Sequence, residues 1–500
     1  MSKKSFEADR GLSFIKTGWL VLLSWIVLIH LIIRNLFTYF YSIDIYHMLS
    51  AGKAISQFGV LTDDVFFIDS GHKIVIQQWL YDFIVYKTYN YGGKIAVLLF
   101  TLLLAMIFAL LAVKILRLFN VDIILAITAV LSVLLYDREV ISLRPGLLTM
   151  VLLLTQVLLC EIYLKNKRMF WLLLIPVLTF IEINDHATMW VMHFIFLLPY
   201  LVPVPEYFCK KLSIVDHHIS LFNLSYSIIG MIISLFINPY GLKGITILFD
   251  QSEIVSLGIK DMNPLSFSSK FVYVFIIMLL VTAFLLGKVS IHSSNAFMFF
   301  GTAIMMMKNI RNVQMFSIGI ILIACDLLLI IPISKVDIIL TNTKKTIIVL
   351  SSILVVACIA VSTVDFPYAS KLHDEPQDSI YTPVDAVAYL NEDASSDSRI
   401  FTDFNSGSFI SWSGYKIYFS NRTEGYCQAV NGGFDLVNEY LSVYNNTETD
   451  YYDTYDEFLN KYSFDYLIVD TRNRMYTYLL TSESYHPVVD GNGYVLFEAA

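Results

Sequence analysis

The chain has 500 residues, of which 56% are hydrophobic and only 15% charged, with a mean hydropathy of +0.64. Soluble globular proteins of that length are not so apolar, so the composition points to a polytopic membrane protein. The net charge of −8 hides an asymmetry, because residues from Asp365 onward hold 22 acidic and 7 basic side chains and the preceding part holds the other 20 and 27. An acidic tail of this kind excludes nucleic-acid binding, since it would repel phosphates.

From the N-terminus, Lys3, Lys4, Arg10 and Lys16 precede an apolar run to about Phe40. No small-residue cleavage site follows, and the run is longer than a signal-peptide core, so an uncleaved first span is expected. A long loop, 41–91, comes next. Asp44 opens a helical pattern in it, with Ile45, Leu49, Ala51 and Ile55 at roughly helical spacing, and His47 shares a face with Asp44. A carboxylate held at a membrane surface beside a histidine can act as a base. Asp63, Asp64, Trp79 and Asp82 complete the loop. Further apolar runs lie near 94–113, 122–136, 145–163, 169–183, 188–205, 221–238, 270–287, 295–307, 313–333 and 345–364. Each approaches the roughly 20 residues a spanning helix needs, so about eleven transmembrane helices are expected.

The loops alternate in kind. Lys114 and Arg117, then Lys165, Lys167 and Arg168, then Lys210 and Lys211, then Lys288, then Lys335, Lys344 and Lys345 all fall on the side of the N-terminus. The positive-inside rule makes that side cytoplasmic and places the acidic tail outside. The opposite loops carry short polar clusters against helix ends. They are Asp44 and His47; Asp137, Arg138, Glu139 and Arg144; Glu182, Asn184, Asp185 and His186; Asn238-Pro239-Tyr240-Gly241; and Lys308, Arg311 and Asn312. Ionisable groups at that depth pair with one another or face a wet cavity, and five clusters on one side suggest a polar cavity opening outward. Cations on the outer side run against the positive-inside bias, and arginine forks match phosphate oxygens. Arg138, Arg144, Lys308 and Arg311 are therefore candidate ligands for a lipid phosphate, and internal pairing with Asp137 and Glu139 is an equal reading for Arg138.

Residues 365–500 read as a small soluble α/β domain, and 1–364 as the membrane domain. Thr382-Pro383 opens a helix, RIFTDF, SFISW and KIYFS read as strands, DTYDEFLNKY as a helix, FDYLIVD as a buried strand and HPVVDGNGYVLFE as a hairpin. The domain shows no phosphate loop, metal-ligand spacing or nucleophile elbow. Asn421-Arg422-Thr423 and Asn445-Asn446-Thr447 are sequon matches. The cysteines Cys160, Cys209, Cys325, Cys358 and Cys427 suggest neither a disulfide framework nor a zinc site.

The order of short motifs resembles bacterial polytopic glycosyltransferases of the GT-C fold, of the family-39 and oligosaccharyltransferase-like kind. The matching residues are D-x-x-H-x-x-x-x-G at Asp44, His47 and Gly52, D-x-F at Asp64 and Phe66, and Q-W-L at Gln78, Trp79 and Leu80. Arg144-Pro145, Asn184-Asp185-His186, Asn238-Pro239-Tyr240-Gly241 and RIFTDFNSGSFISW follow in order. The resemblance implies transfer of a sugar from a polyprenyl-phosphate donor to a glycan, lipid or protein acceptor at the outer face of the cell membrane. It implies a catalytic aspartate at Asp44, and His47, Asp64, Trp79, Glu139, Asn184 and His186 are the candidate substrate contacts. Glu182 stands where the family often has tryptophan, a departure that bears on substrate or activity. An acceptor hydroxyl attacking the anomeric carbon in a single displacement would invert it. A divalent metal at Asp44 and Asp63 or Asp64 is a further possibility to test. A lipid or polysaccharide flippase and a non-catalytic cell-envelope assembly protein are the alternatives. Broken helices in an internal repeat would favour the flippase.

Overall fold

The structure, a computed structural model, describes residues 21–36, 43–137, 140–250, 263–285, 289–330, 382–431, 435–444 and 452–500. Helix α1 (Val21–Leu36) is followed by α2 (Ile43–Phe58) and α3 (Trp79–Leu118). The helical pattern read from Asp44 is thus present, and α2 lies flat against the start of α3. Gly52 makes that approach possible: a Cβ there would sit 2.1 Å from the Asp82 carbonyl oxygen. Helix α3 kinks at Gly92 and Gly93, and Gly93 has φ +60°. A residue with a Cβ adopts that conformation only at a cost. The kink separates the amphipathic end of the first loop from the apolar run that begins at Lys94.

Helix α4 (Ile123–Tyr136) is capped by Asp122, whose side chain accepts from the Ile124 amide. Helix α5 (Pro145–Asn166) begins with Arg144 in extended backbone and Pro145 at the first helical position, where its missing N–H costs nothing. The expected run at 169–183 is broken into α6 (Phe170–Leu173) and α7 (Ile175–Asp185), with Pro176 at the break. Then follow α8 (Trp190–Ile195), α9 (Leu198–Leu201), α10 (Glu206–Leu212), α11 (Leu221–Leu235), α12 (Leu242–Asp250), α13 (Lys270–Leu285), α14 (Ser293–Lys308) and α15 (Val313–Leu327). Strands β1 (Ile214–Val215) and β2 (Ile291–His292) pair in parallel and tie α10 to α14.

Among the described residues, three helical stretches are long and apolar enough to cross a membrane: Trp79–Leu118, Pro145–Asn166 and Ile310–Leu327. Five other apolar helices, including Val21–Leu36 and Ile123–Tyr136, have 10–17 residues. The expected count of about eleven spans is thus not reached among the described residues. The run at 345–364, and with it the boundary at 364/365, lies outside the described residues. Helix α3 presents Ala105, Ala109 and Ala112, all fully buried, along one face. Small residues let helix backbones approach closely where lipid removes the usual hydrophobic drive for association.

The C-terminal residues form a four-stranded sheet in the order β3-β4-β6-β5, from β3 (Ile400–Phe401), β4 (Tyr466–Asp470), β5 (Tyr485–Gly491) and β6 (Tyr494–Ala499). Strand β3 runs parallel to β4, and the β5–β6 hairpin is antiparallel. Helices α16 (Val384–Asp393), α17 (Gly407–Trp412), α18 (Gln428–Asn431), α19 (Leu436–Tyr444), α20 (Tyr452–Tyr462) and α21 (Arg474–Leu479) surround it. SFISW, expected as a strand, is helix α17. A five-residue run with Phe409, Ile410 and Trp412 apolar is too short to separate the two periods. Packing decides, since Phe409 meets the Tyr46 ring of α2 edge-on at 4.9 Å. KIYFS contributes only a bridge, Ile417 to Phe67 and Ile400.

That bridge joins the first loop to the C-terminal sheet. The Ile417 amide donates to the Phe66 carbonyl at 2.8 Å, and the Ile68 amide to the Ile417 carbonyl at 3.2 Å. Arg399 Nη1 meets Asp69 Oδ1 at 2.7 Å, and the Lys73 amide donates to Asn431 Oδ1 at 2.8 Å. The first loop and the C-terminal domain are one packed unit.

Candidate functional site

Asp44 lies in the first turn of α2, with its side chain 30% exposed. Its Oδ2 is 2.7 Å from Arg144 Nε, at the N-terminal end of α5. Its Oδ1 accepts from Asn421 Nδ2 of the C-terminal domain at 3.1 Å. Three distant parts of the chain therefore converge on one carboxylate. Both members of the ion pair are open to solvent, so the pair is worth little to stability, about 0–1 kcal/mol.

His47 sits one turn further along α2 and is buried. Its Nε2 is 4.0 Å from Asp82 Oδ2, and Asp82 Oδ1 accepts from Gln78 Nε2. Burial pushes the imidazole pKa down to about 3, the Arg422 charge pushes the same way, and Asp44 opposes both. His47 is neutral at pH 7. Between its ordinary value of 6.5 and about 3, the unfolded chain binds a proton that the folded chain refuses. Stability should accordingly fall as pH drops through that window. Apparent melting temperature against pH should show this fall, and His47→Gln should flatten it; an unchanged profile would contradict the assignment.

Asp64 is buried, accepts from the Phe66 amide at 2.9 Å, and has its pKa raised by burial against the opposing Arg422 charge. Asp63 points outward to Lys73. Trp79 Nε1 donates to Asn184 Oδ1 at 3.2 Å, and Asn184 Nδ2 donates to the Phe180 and Ile237 carbonyls. These two candidate contacts are thus engaged with each other, linking α3 to α7.

Glu182 has two partners. Thr149 Oγ1 donates to its Oε1 at 2.6 Å, and His193 Nε2 lies 3.4 Å from its Oε2. Gln156 bridges His193 through both its amide atoms. Thr149 Oγ1 also reaches His186 Nδ1 at 3.2 Å. Glu182 therefore joins Thr149, His193 and Gln156 in a buried polar network that reaches His186 through Thr149. Burial lowers the His186 pKa to about 4, Glu182 opposes this and Arg311 adds to it. Asp185, fully buried beside Tyr81, has no hydrogen-bond partner for either oxygen among the described residues.

Of the candidate cations, Arg144 reaches Asp44 and Arg311 acts on His186. Arg311 stands on a one-turn helix at Ile310–Asn312, its amide held by Asn309 Oδ1. Gln314 of the following helix lies against Gly146, so this turn abuts the start of α5. Lys308 is exposed at the end of α14. Arg138 and Glu139 lie outside the described residues. Asn238 is a turn former: its Oδ1 accepts from the Tyr240 amide and its Nδ2 donates to the Leu235 and Gly241 carbonyls.

Two residues carry the arrangement without having been singled out from the sequence, Asn421 and Arg422. Arg422 is 1% exposed, stacks 3.6 Å from the Phe66 ring centroid and sends Nη1 to Ser411 Oγ. The Asn421-Arg422-Thr423 triplet is therefore interior structure. Its signal was present only as a sequon match.

The carboxylates named for a divalent metal have protein partners here. Arg144 and Asn421 occupy the Asp44 oxygens, Asp63 turns to Lys73, and no cluster of three metal-ligating side chains occurs among the described residues.

No protein-family model and no curated protein matches the chain. Solved structures do. The apo oligosaccharyltransferase of Archaeoglobus fulgidus superposes with a TM-score of 0.59 at 10% identity, covering 92% of this chain and 70% of that one. The same organism's oligosaccharyltransferase AglB, in complex with an inhibitory peptide and a dolichol-phosphate, gives 0.58 at 9% identity over 91% and 70%. A form of the enzyme tethered to an acceptor peptide containing the NVT sequon gives 0.57 at 10% identity over 92% and 70%. A further form, complexed with zinc and sulfate, gives 0.54. At such identities the likeness establishes a shared fold: a helical bundle with a C-terminal sheet-bearing domain.

Proposed function

We propose that the protein is a membrane glycosyltransferase that moves a sugar from a lipid-phosphate donor to an acceptor, with Asp44 as the general base. The observation that carries this reading is the Asp44 carboxylate itself. It is solvent-accessible, held from two sides by Arg144 and Asn421, and set at the helix ends that also bear Arg311, in a fold shared with an oligosaccharyltransferase over 92% of the chain. An acceptor O–H or N–H gives its proton to the carboxylate as the acceptor atom attacks the anomeric carbon, and the lipid phosphate leaves as an anion. The leaving group is already charged, so it needs cations rather than an acid. Arg144, Arg311 and Lys308 supply them. Arg144 serves both partners: when the donor phosphate takes its guanidinium, Asp44 Oδ2 is released for the acceptor. One displacement inverts the sugar. The donor is a polyprenyl phosphate sugar, and the acceptor a glycan, a lipid or a protein. His47 and Asp64 shape the loop from within, whereas Trp79, Asn184 and His186 line the side toward α7.

The test is donor binding. Arg144→Ala and Arg311→Ala should each weaken retention of a polyprenyl-phosphate sugar about tenfold or more, as expected for a lost charge-assisted hydrogen bond, with little change in melting temperature. Unchanged donor affinity together with early unfolding would make both arginines structural, and would favour the non-catalytic envelope protein.

The N-terminus is assigned to the cytoplasm and the C-terminal domain to the outside, on the alternation of basic loops. In intact cells a membrane-impermeant thiol reagent should label Asp397→Cys, whose native side chain is 89% exposed, and should spare Lys165→Cys. The reverse pattern would invert the topology and move the Asp44 site to the cytoplasm.

A further inference from the structure

A second polar cluster lies at the other end of α5. Glu161, Lys165 and Lys167 are about 30 Å from Arg144 at 1.5 Å of rise per residue. There the end of α3, the end of α5, the segment after β1 and the strand β2 enclose a cavity of about 510 Å³. Three histidines meet it. His217 is spent: its Nδ1 is 2.7 Å from Ser294 Oγ and its Nε2 3.6 Å from Glu161 Oε2. His218 and His292 are different, because among the described residues each bonds through Nδ1, on Asp216 Oδ2 at 2.7 Å and on Asp326 Oδ1 at 2.5 Å.

The carboxylates are committed. Asp216 Oδ1 accepts from the Val204 amide, Asp326 Oδ2 from the His292 amide and Asn295, and Glu161 Oε1 from Tyr200. Each backs a histidine, and Lys165, Lys167, His218, His292 and Asn120 share the cavity wall with Glu161 and Asp216. A carboxylate on Nδ1 fixes the ring and favours the charged imidazole, in which Nε2 also carries a proton and donates. Burial opposes a charge on His292, but the hydrogen bond and charge of Asp326 outweigh it and raise its pKa. The His217 and His292 rings stand 4.6 Å apart, and His217, its pKa lowered to about 3 by burial, His292 and Lys167, stays neutral beside it. Lys165 and Lys167 complete the rim, Lys165 with one donor on the Leu118 carbonyl.

We propose that this cavity binds a phosphate-bearing anion, held by Lys165 and Lys167 and by the Nε2 atoms of His218 and His292. Donors from three segments, the end of α5, the stretch after β1 and strand β2, surround the space and can meet the oxygens of an oxyanion. The volume exceeds that of phosphate alone, and Leu118, Leu164 and Leu329 in the wall leave room for an apolar substituent. The inference is independent of the reading of the Asp44 site.

The test uses full-length protein in neutral detergent. Inorganic phosphate is titrated calorimetrically at constant ionic strength, and native mass spectrometry compares retention of phosphatidylglycerol with that of phosphatidylcholine. The same measurements are made on Lys167→Gln/His218→Gln. Saturable phosphate binding, weakened about tenfold or more in the variant, would identify a free phosphate or phosphomonoester. Selective retention of phosphatidylglycerol, lost in the variant, would identify a lipid headgroup. Absence of both, or binding that the variant leaves unchanged, overturns the proposal. If the double variant melts early, His218→Gln alone decides: unchanged affinity there also overturns it.

Discussion

Asp44→Asn should leave a protein that inserts, folds and retains its lipid donor but transfers sugar about 100- to 10,000-fold more slowly, the usual loss for a positioned base. The substitution keeps the side chain's size and an oxygen for Asn421 Nδ2, and it removes the charge and the basic lone pair on the Arg144 side. The ion pair it deletes is solvent-exposed, so stability should change by no more than about 1 kcal/mol. Turnover and stability thus separate. Asp44→Ala removes the Asn421 contact as well and should loosen the C-terminal domain over α2, adding a stability loss to the same rate loss. Measurement needs a radiolabelled or fluorescent donor and single-turnover kinetics, so that donor binding and chemistry are read separately. If Asp44→Asn transfers sugar at a near-normal rate, the base is elsewhere and the buried carboxyl of Asp185 becomes the candidate.

Periodicity and charge made the bundle legible in the sequence, because a lipid-facing helix is apolar over its whole length and basic loops mark one side. The first loop was legible through Asp44, His47 and Gly52 on one short helix, and the close approach of Gly52 to Asp82 gives a physical reason for that spacing. What stayed hidden needs tertiary contact. Nothing local says that Asn421 will meet Asp44 across 377 residues, or that Phe409 and Trp412 belong to a helix leaning on α2. Glu182 looked like a defect in a motif. Only the fold shows Thr149, His193 and Gln156 gathered around it. Asp64 was named through its D-x-F motif, and only the fold shows it buried within reach of the Arg422 charge.

Arg422→Ala should be the most destabilising single change in this region. The guanidinium is buried, lies on the Phe66 ring, and is the cation whose charge acts on Asp64, His47 and the Tyr426 hydroxyl. Its removal leaves the Asp64 carboxylate in a low-dielectric interior without that cation, which costs about 3–5 kcal/mol in comparable settings. The sign with pH follows. Asp64 already has a folded pKa above its ordinary 3.8, so its contribution is complete in acid and is lost as pH rises through the raised value. Without Arg422 that pKa rises further, and the loss between acid and neutral pH should steepen. Asp64→Asn on the Arg422→Ala background removes the charge and should recover part of the stability and flatten the profile. Apparent melting temperatures of the four proteins across pH give the coupling directly. Limited proteolysis should report where it acts, with cleavage rising in the 59–78 loop first, since its ties to Ile417, Arg399 and Asn431 hold the loop to the sheet. Equal stability of Arg422→Ala and the wild type, or no recovery in the double variant, would mean that Phe66 packing rather than charge fixes this loop. Recovery would mean that the Arg422 charge acting on Asp64 holds the C-terminal domain over the helix that carries Asp44, and that the base is positioned by residues its own sequence neighbourhood does not contain.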